Sequence, residues 1–242
     1  MRYLLTIILF LILTHLVSAQ ASTPNSVSNV LLRNEASFGV VLHSEGAGML
    51  YRRGKHVTGT RKRILEIEGV TMHHPKEIKI SRSDNSKGFY FGKLNSLYFA
   101  RTGAGFHRVL FRKGEGRGAE IRYAFIGGGT LSMAKPVFLD IYGTDQKTVS
   151  SERYDPDIHN STNIYGRSSF FTGIRYTRIY PGFYGKVALS CELGDNKDRL
   201  RLLEVGAVAD IFPFAIPVMA SQNPQNIFAN FYISYSFGKK WI

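Results

Sequence analysis

The segment Glu152–Asn160 combines acidic side chains with a histidine at spacings that suit a metal ion. Asp155, Asp157 and His159 alternate along it, so an extended loop would bring their oxygen and nitrogen atoms to one side. The segment lacks the glycine turn and distal glutamate of a helix–loop–helix calcium site. We therefore expect either a weak metal site, with the metal unknown, or a hydrophilic loop on the surface.

A second cluster, His73-His74-Pro75-Lys76-Glu77, places two histidines beside an acid. In a strand the two imidazoles would point to opposite faces, so they converge on a metal or act as a general base only in a loop. The alternative is a polar loop stiffened by its proline.

The sequence offers no convincing nucleophile. It has no Gly-x-Ser-x-Gly elbow, and Gly127-Gly128-Gly129 is not followed by the Lys-Ser/Thr pair of a phosphate-binding loop. We predict no catalytic residue and no cofactor. Enzyme activity stays open, with a non-enzymatic role favoured.

The C-terminal segment Ala229–Phe237 shows which secondary structure carries these residues. Apolar side chains alternate strictly with polar ones along it, which is the pattern of a β-strand. Segments starting near Ala119, Phe183 and Leu203 repeat this alternation. The protein is therefore predicted to be all-β.

Strand length and charge favour an antiparallel transmembrane β-barrel over a water-soluble β-sandwich, which also alternates. The predicted strands have the roughly 9–11 residues that a tilted strand needs to cross a bilayer. Their polar faces carry charges such as Glu120 and Lys186, which suit a wet interior, and aromatic residues gather at their ends. Beyond residue 19 no apolar run is long enough for a membrane-spanning helix, so a membrane protein of this sequence must be a closed barrel.

The alternation predicts about ten strands, although eight and twelve also fit. Short glycine-rich turns are predicted at Thr102-Gly103-Ala104 and Gly128-Gly129-Thr130, and long loops near 71–93, 142–182 and 211–227. The tight turns would face the periplasm and the long loops the outside. The strands are predicted near 37–43, 46–53, 60–70, 94–101, 105–112, 119–128, 131–141, 183–193, 200–210 and 228–238.

The first residues have the three parts of a secretory signal peptide: an early Arg2, an apolar run from Leu4 to Val17, and a small-residue ending at Ala19. We predict a signal peptide at 1–19, an N-terminal periplasmic segment at 20–36 and the barrel at 37–242. Export through the Sec pathway to the outer membrane follows from this organisation. The lone Cys191 rules out an internal disulfide framework.

The chain end Asn230–Phe237, followed by Trp241, resembles the terminal signal of outer-membrane barrels, an alternating strand with a final aromatic residue. Lys239, Lys240 and Ile242 depart from that pattern. With its leader, the chain resembles uncharacterised small outer-membrane β-barrel proteins of Gram-negative bacteria over nearly all its mature length. The resemblance implies a location in the outer membrane and a β-barrel fold, and it carries no catalytic motif.

In such a barrel a set of charged residues would project into the interior. An interior of about ten strands is only slightly wider than the eight-strand case that side chains fill. Charges of both signs there predict a plugged interior cross-linked by ion pairs, because burying charge requires pairing. The predicted interior residues are Arg108, Arg112, Glu120, Arg122, Lys186, Glu192, Glu204 and Asp210.

Three functions compete on this reading. The favoured one is a non-enzymatic barrel that is structural or binds an envelope protein through its long loops. The alternatives are a membrane-embedded enzyme that modifies lipid or lipopolysaccharide, and a narrow solute channel. Ser190 and Ser234 fall on predicted inward faces, which argues against a lipid-facing hydrolase. The net charge of +13 favours lipid and lipopolysaccharide as partners over nucleic acid.

Overall fold

The computed structural model describes residues 33–81, 87–111, 120–143, 148–193 and 198–242. Within these ranges the chain is built from β-strands, with one 3₁₀ turn at Ile174–Tyr176. No helix in the described ranges is long and apolar enough to cross a membrane. The predicted signal peptide lies outside the described residues. The strands are β1 (Asn34–His43), β2 (Gly46–His56), β3 (Arg61–Met72), β4 (Lys79–Ile80), β5 (Phe89–Tyr90), β6 (Asn95–Phe111), β7 (Glu120–Pro136), β8 (Phe138–Tyr142), β9 (Val149–Arg153), β10 (Ile164–Arg167), β11 (Arg178–Glu192), β12 (Arg199–Ile216) and β13 (Gln225–Trp241).

Eight of these strands close into a barrel in the order β1-β13-β12-β11-β7-β6-β3-β2. Each strand is antiparallel to both neighbours. The first and last strands complete the circle, with registers running from Asn34 opposite Trp241 to His43 opposite Tyr232. Closure leaves no unpaired strand edge in the barrel wall. The all-β antiparallel barrel expected from the alternation is thereby confirmed.

The prediction of about ten strands is wrong, and eight is the number observed. Thr102-Gly103-Ala104 lies inside β6 and Gly128-Gly129-Thr130 inside β7, so each pair of predicted strands is one long strand. Gly103 and Gly128 face each other in the ladder. A Cβ on Gly103 would lie 2.5 Å from the Tyr184 hydroxyl and 2.6 Å from the Gly127 carbonyl oxygen. These glycines therefore mark close packing inside the wall, which the sequence pattern does not distinguish from a turn.

The three long connections, β3 to β6, β7 to β11 and β12 to β13, all leave the same end of the barrel, here called the loop end. The start of β1 and the end of β13 lie at the opposite, turn end. Three strands from the connection between β7 and β11 pair into a separate sheet, in the order β10-β8-β9, here called the loop platform. The β4–β5 hairpin belongs to the connection between β3 and β6.

The faces of the barrel strands are inverted relative to a water-soluble protein. Large apolar side chains on the outer face are exposed, including Phe38, Ile67, Val187 and Phe231. The inward positions on the same strands hold most of the buried charged residues. An apolar exterior around a charged interior is the arrangement of a transmembrane barrel.

Candidate functional site

The middle of the barrel interior holds seven charged side chains in one continuous set of ion pairs, here called the central network. Arg52 is its hub on one side: Nε donates to Glu66 at 2.5 Å, and the two terminal nitrogens donate to the two carboxylate oxygens of Glu204 at 2.6 Å. The Tyr232 hydroxyl also donates to Glu204 at 2.6 Å. The network comprises Arg52, Glu66, Glu68, Arg101, Lys186, Glu204 and Asp210.

Lys186 and Arg101 extend the central network to the far side of the interior. Lys186 Nζ donates to Glu66 at 2.7 Å and also to Glu68. Arg101 donates to Glu68 as well, and it forms a two-point contact with Asp210 at 2.9 and 2.5 Å. Paired N–H donors on a carboxylate fix geometry as well as charge, because both bonds constrain the guanidinium plane. The network thus ties β2, β3, β6, β11 and β12 together across the interior.

A second cluster, the turn-end network, lies nearer the chain termini. Lys62 donates to Glu35 at 2.5 Å, and Arg122 donates to Glu120 at 2.5 Å and to Glu192. Lys240 donates to Glu192 at 2.5 Å. The network comprises Glu35, Lys62, Glu120, Arg122, Glu192 and Lys240.

The two networks are close to charge balance. Three cations meet four carboxylates in the central network, and three meet three in the turn-end network. Burying an ion costs several kcal/mol, which only close pairing offsets. The net charge of +13 therefore resides elsewhere in the chain.

Most of the predicted interior residues point inward in the structure, but not all of them do. It places Arg122, Lys186, Glu192, Glu204 and Asp210 in the buried networks and Glu120 at the edge of one. Arg108 is instead exposed on the outer face, where it approaches the Tyr123 hydroxyl at 3.4 Å. Without a turn at residue 103, the alternation that points Arg101 inward continues unbroken and turns Arg108 outward. Arg112 lies outside the described residues.

Sequence reasoning missed more than half of the two networks. On β3 a signal was present: Leu65 and Ile67 form an apolar stripe, so Glu66 between them belongs to the opposite, inward face. Arg101 carried a weaker signal, because the neighbouring glycines obscure the strand. The missed members are Glu35, Arg52, Lys62, Glu66, Glu68, Arg101 and Lys240.

An aromatic cluster fills the interior at the loop end. The rings of Phe99, Phe212 and Phe228 meet edge to face, with centroids 5.3, 5.3 and 5.9 Å apart. This buried cluster, here called the loop-end seal, also contains Val70, Met72, Leu97, Ala134, Ile216, Val218 and Met219. Interdigitated rings of this size leave the interior little room at that end.

The interior also holds the serines predicted on inward faces, together with a further serine and a histidine. Ser190, Ser234 and Ser236 are buried on inward faces, and so is His107. Cys191 faces outward on β11. None of these four inward groups has access to a lipid alongside the wall.

The loop platform has a hydrophobic core of its own. Leu139, Ile141, Tyr154 and Ile164 pack with Phe89 of the β4–β5 hairpin, and all five are buried. Gly166 approaches Lys87 closely: its Cβ would lie 2.7 Å from the Lys87 carbonyl oxygen, and the Arg167 N–H donates to that oxygen at 2.9 Å. The platform is therefore a folded unit, stabilised by burial as a small sheet is.

Asp155, Asp157 and His159 lie at one edge of the platform and bond mainly to the backbone. The Asp155 carboxylate accepts the Asp157 N–H at 3.0 Å, and Nδ1 of His159 accepts the Asp155 N–H at 3.0 Å. Hydrogen bonds from Ser150 and His159 hold the pKa of the exposed Glu152 carboxyl below its usual value. The described residues contain no group of three or more His, Cys, Asp or Glu side chains placed for a metal ion.

The adjacent histidines at the loop end separate. His74 Nδ1 accepts the Lys76 N–H at 3.1 Å, which closes a turn. His73 instead lines a cavity of about 160 Å³ between the barrel rim and the platform.

This loop-end cavity has a basic and aromatic lining. Lys93, Lys135 and Arg167 contribute cations, and Phe170 and Tyr98 contribute rings that meet edge to face at 6.2 Å. Lys135 Nζ lies 4.9 Å from the centre of the Phe170 ring. The positive charge of Arg167 is close enough to repel the charges of both Lys93 and Lys135. Cations beside rings and hydroxyl groups suit an anionic ligand with a hydrophobic or sugar-like face.

Only one of the three cavity cations has a carboxylate partner among the described residues. Lys93 Nζ donates to Glu77 at 2.7 Å. Burial lowers the pKa of Lys93, and the charge of Arg167 lowers it further, while Glu77 opposes both. Lys135 and Arg167 form no ion pair within the described ranges, so they present two uncompensated charges to the cavity.

No family model matches the chain, and no curated protein matches it. Among solved structures, it is similar to the crystal structure of Ail, the attachment invasion locus protein of Yersinia pestis. The identity is 8%, the alignment covers 86% of this chain and 98% of that one, and the TM-score is 0.43. A structure of Ail in complex with the heparin analogue sucrose octasulfate gives the same values. A likeness this low carries no weight for function, which rests here on the geometry of the chain itself.

Proposed function

We propose that this protein is a non-enzymatic outer-membrane barrel with a plugged interior, which works by presenting its loop platform to an anionic partner in or on the cell envelope. The observation that carries the proposal is the contrast between the two ends of the structure. The interior charges are paired with one another, while the loop-end cavity keeps Lys135 and Arg167 free of carboxylates in the described ranges.

The outer surface supports placement in a membrane. Exposed apolar side chains surround the barrel, and the buried face carries the charges. The outer face is therefore suited to lipid and not to water. With an even number of strands, the start of β1 and the end of β13 both lie at the turn end, and the three long connections leave the opposite end. We propose that the turn end faces the periplasm and the loop end the outside, the orientation that the sequence predicts for its short turns and long loops.

The filled interior supports binding over transport. The loop-end seal and the two ion-pair networks occupy successive levels of the interior. An open channel needs water along its whole length, whereas the charged side chains of the two networks are paired with one another. The platform, in contrast, is ordered by its own core and holds its cavity open at the rim.

The chemistry of the cavity favours phosphate groups on a saccharide. Two unpaired cations suit the charge, and the Phe170 and Tyr98 rings suit a sugar face. Lipopolysaccharide brings both features together at the height of the barrel rim. It is therefore the partner class that we propose for the platform.

The test measures binding of a soluble, phosphorylated lipopolysaccharide core oligosaccharide to the purified protein by calorimetry. The Lys135→Gln/Arg167→Gln variant removes both free cations, and Lys79→Gln/Arg153→Gln is a matched control at exposed loop positions. We expect the first variant to weaken binding on the order of tenfold or more, because each charged hydrogen bond is worth about 1.5–3 kcal/mol.

The control variant is expected to bind like the wild type. Dephosphorylated oligosaccharide should bind weakly to all three proteins, since it lacks the charge that the cavity recognises. Equal affinity of the wild type and the Lys135→Gln/Arg167→Gln variant would contradict the proposed role of the cavity.

A further inference from the structure

The outer face of the barrel carries a band of basic residues at its turn end. They are exposed, and they come from five of the eight barrel strands. β2 and β3 contribute two each, β12 two, and β6 and β13 one each. This band, here called the basic rim, comprises Arg53, Lys55, Arg61, Arg63, Arg108, Arg199, Arg201 and Lys239.

Several rim cations lie directly opposite one another in the strand ladders. Lys55 pairs with Arg63 across β2 and β3, and Arg61 pairs with Arg108 across β3 and β6. Arg199 pairs with Lys239 across β12 and β13. Like charges in directly opposed positions destabilise a sheet, so three such pairs at one rim imply an anion that offsets them.

The chain supplies no such anion among its described residues. None of the eight rim cations forms an ion pair with a described carboxylate, and no outward position on a described barrel strand is occupied by Asp or Glu. The acids of the barrel strands all lie in the interior networks. The described residues therefore supply no negative charge that compensates the basic rim.

The rim borders the apolar outer surface on the side facing the middle of the barrel. Tyr51 precedes Arg53 by one outward step on β2, Leu65 follows Arg63 on β3, and Phe237 precedes Lys239 on β13. All three apolar neighbours are exposed. A cation one step beyond a lipid-facing residue lies at headgroup depth, where long basic side chains extend to the polar layer.

A groove on the outer wall concentrates these features. It has a volume of about 410 Å³ and lies between β12 and β13, lined by Arg199, Arg201, Lys239 and the Phe237 ring, with Leu200 and Gly238. Three cations surround it, and an exposed ring forms its apolar part. A phosphate with an attached acyl chain matches both parts.

We propose that the basic rim binds the phosphate groups of anionic glycerophospholipids, with the groove between β12 and β13 as the main site. The assignment rests on the proposed membrane placement, since a turn end in the periplasmic leaflet faces glycerophospholipid headgroups. A soluble anion would leave the exposed part of the Phe237 ring uncovered, and a nucleic acid would not reach a surface that lies within lipid. The apolar border therefore selects a lipid among the anions.

The experiment uses native mass spectrometry of the full chain in neutral detergent, titrated with phosphatidylglycerol or with phosphatidylcholine of identical acyl chains. The test variant is Arg199→Gln/Arg201→Gln/Lys239→Gln. The control Lys79→Gln/Lys87→Gln/Arg153→Gln removes the same charge from exposed positions at the loop end. Heat-dependent gel mobility first establishes that each protein forms a closed barrel.

We expect the wild type and the control to prefer phosphatidylglycerol on the order of tenfold, because each basic residue at a membrane surface attracts anionic lipid. The test variant should lose most of that preference. Equal binding of the two lipids by the wild type, or an unchanged preference in the test variant, would overturn the proposal. If lipid A bound the groove more tightly than phosphatidylglycerol, the assignment to glycerophospholipids would be wrong.

This outcome is separable from the proposed function. A protein that closes, inserts into vesicles and binds oligosaccharide at its loop end, yet shows no lipid preference, contradicts the rim proposal alone. A protein that fails to insert into vesicles contradicts the membrane placement on which both depend.

Discussion

Arg52 and Arg53 are neighbours on β2 and belong to different regions of the molecule. Arg52 points inward, is buried, and contacts two carboxylates of the central network. Arg53 points outward into the basic rim, where no described carboxylate lies within ion-pair distance. The same side chain therefore serves as a structural cross-link on one face and as a free charge on the other.

The contrast extends to the whole barrel. Inward charges are of both signs and satisfy one another, whereas the outward charges of the described barrel strands are all positive. Pairing makes the interior inert to solutes and expensive to alter. The surfaces with unpaired charge, at the basic rim and the loop-end cavity, are the ones available to partners.

The largest effect is expected from replacing Arg52, the buried one of the two neighbouring arginines. Arg52→Met leaves Glu66 and Glu204 without that cation, and such a loss from a buried ion pair costs about 3–5 kcal/mol of stability. Arg53→Met is the matched control, with a change expected within about 0.5 kcal/mol. Urea unfolding in lipid vesicles, followed by gel mobility, gives both free energies. Similar losses for the two variants would break the distinction between the faces.

A slightly smaller effect is expected at the loop-end seal. Phe99→Ala removes a ring that contacts both Phe212 and Phe228, which should cost about 3 kcal/mol through lost packing and a residual cavity. Phe231→Ala, at an exposed outward position, is the control and should cost less. The same unfolding assay compares them. An equal or larger loss at Phe231 would show that the ring cluster does not hold the loop end together.

Two glycines compare how tightly the interior and the outer face are packed. Gly103→Ala introduces a Cβ against the Tyr184 hydroxyl and backbone oxygen, and we expect a loss of about 1–3 kcal/mol from overpacking. Gly129→Ala meets nothing within 4 Å and should be close to neutral. Unfolding midpoints in urea distinguish the two. A neutral Gly103→Ala would mean that the interior yields more readily than its packing indicates.

The smallest effect concerns the basic rim. Lys55→Gln removes one member of a directly opposed pair of cations, so it should raise stability by about 0.2–1 kcal/mol in neutral detergent. In vesicles containing phosphatidylglycerol the gain should vanish, because the lipid already offsets the repulsion. Melting temperatures in the two media measure this. An equal gain in both would argue against anionic lipid at the rim.

Much of the barrel is predictable because alternation is a local signal. The strands near residues 183–193, 200–210 and 228–238 correspond to β11, β12 and β13, whose sequences carry the alternation over much of their length. The strand count was missed where glycines replace side chains on β6 and β7. A glycine needed for close packing has no local feature that separates it from a turn glycine.

The candidate site is less predictable, since it depends on contacts between distant parts of the chain. Lys93, Lys135 and Arg167 come from three separate segments and meet only when the platform packs against the loop end of the barrel. Arg108 was predicted to point inward because a turn was assumed at residue 103. The alternation of inward and outward side chains was therefore counted afresh in a separate strand after that turn. The pairing partners in the central network likewise depend on strand order and register, which alternation does not specify.

The most direct test of a plugged interior is electrical. Purified protein inserted into a planar lipid bilayer should show no steady conductance steps, because the loop-end seal and both ion-pair networks occupy the path. Heat-dependent gel mobility of the same preparation establishes that the barrels are closed and folded. Stable, repeated openings of uniform size from that preparation would contradict a filled interior and favour a solute channel.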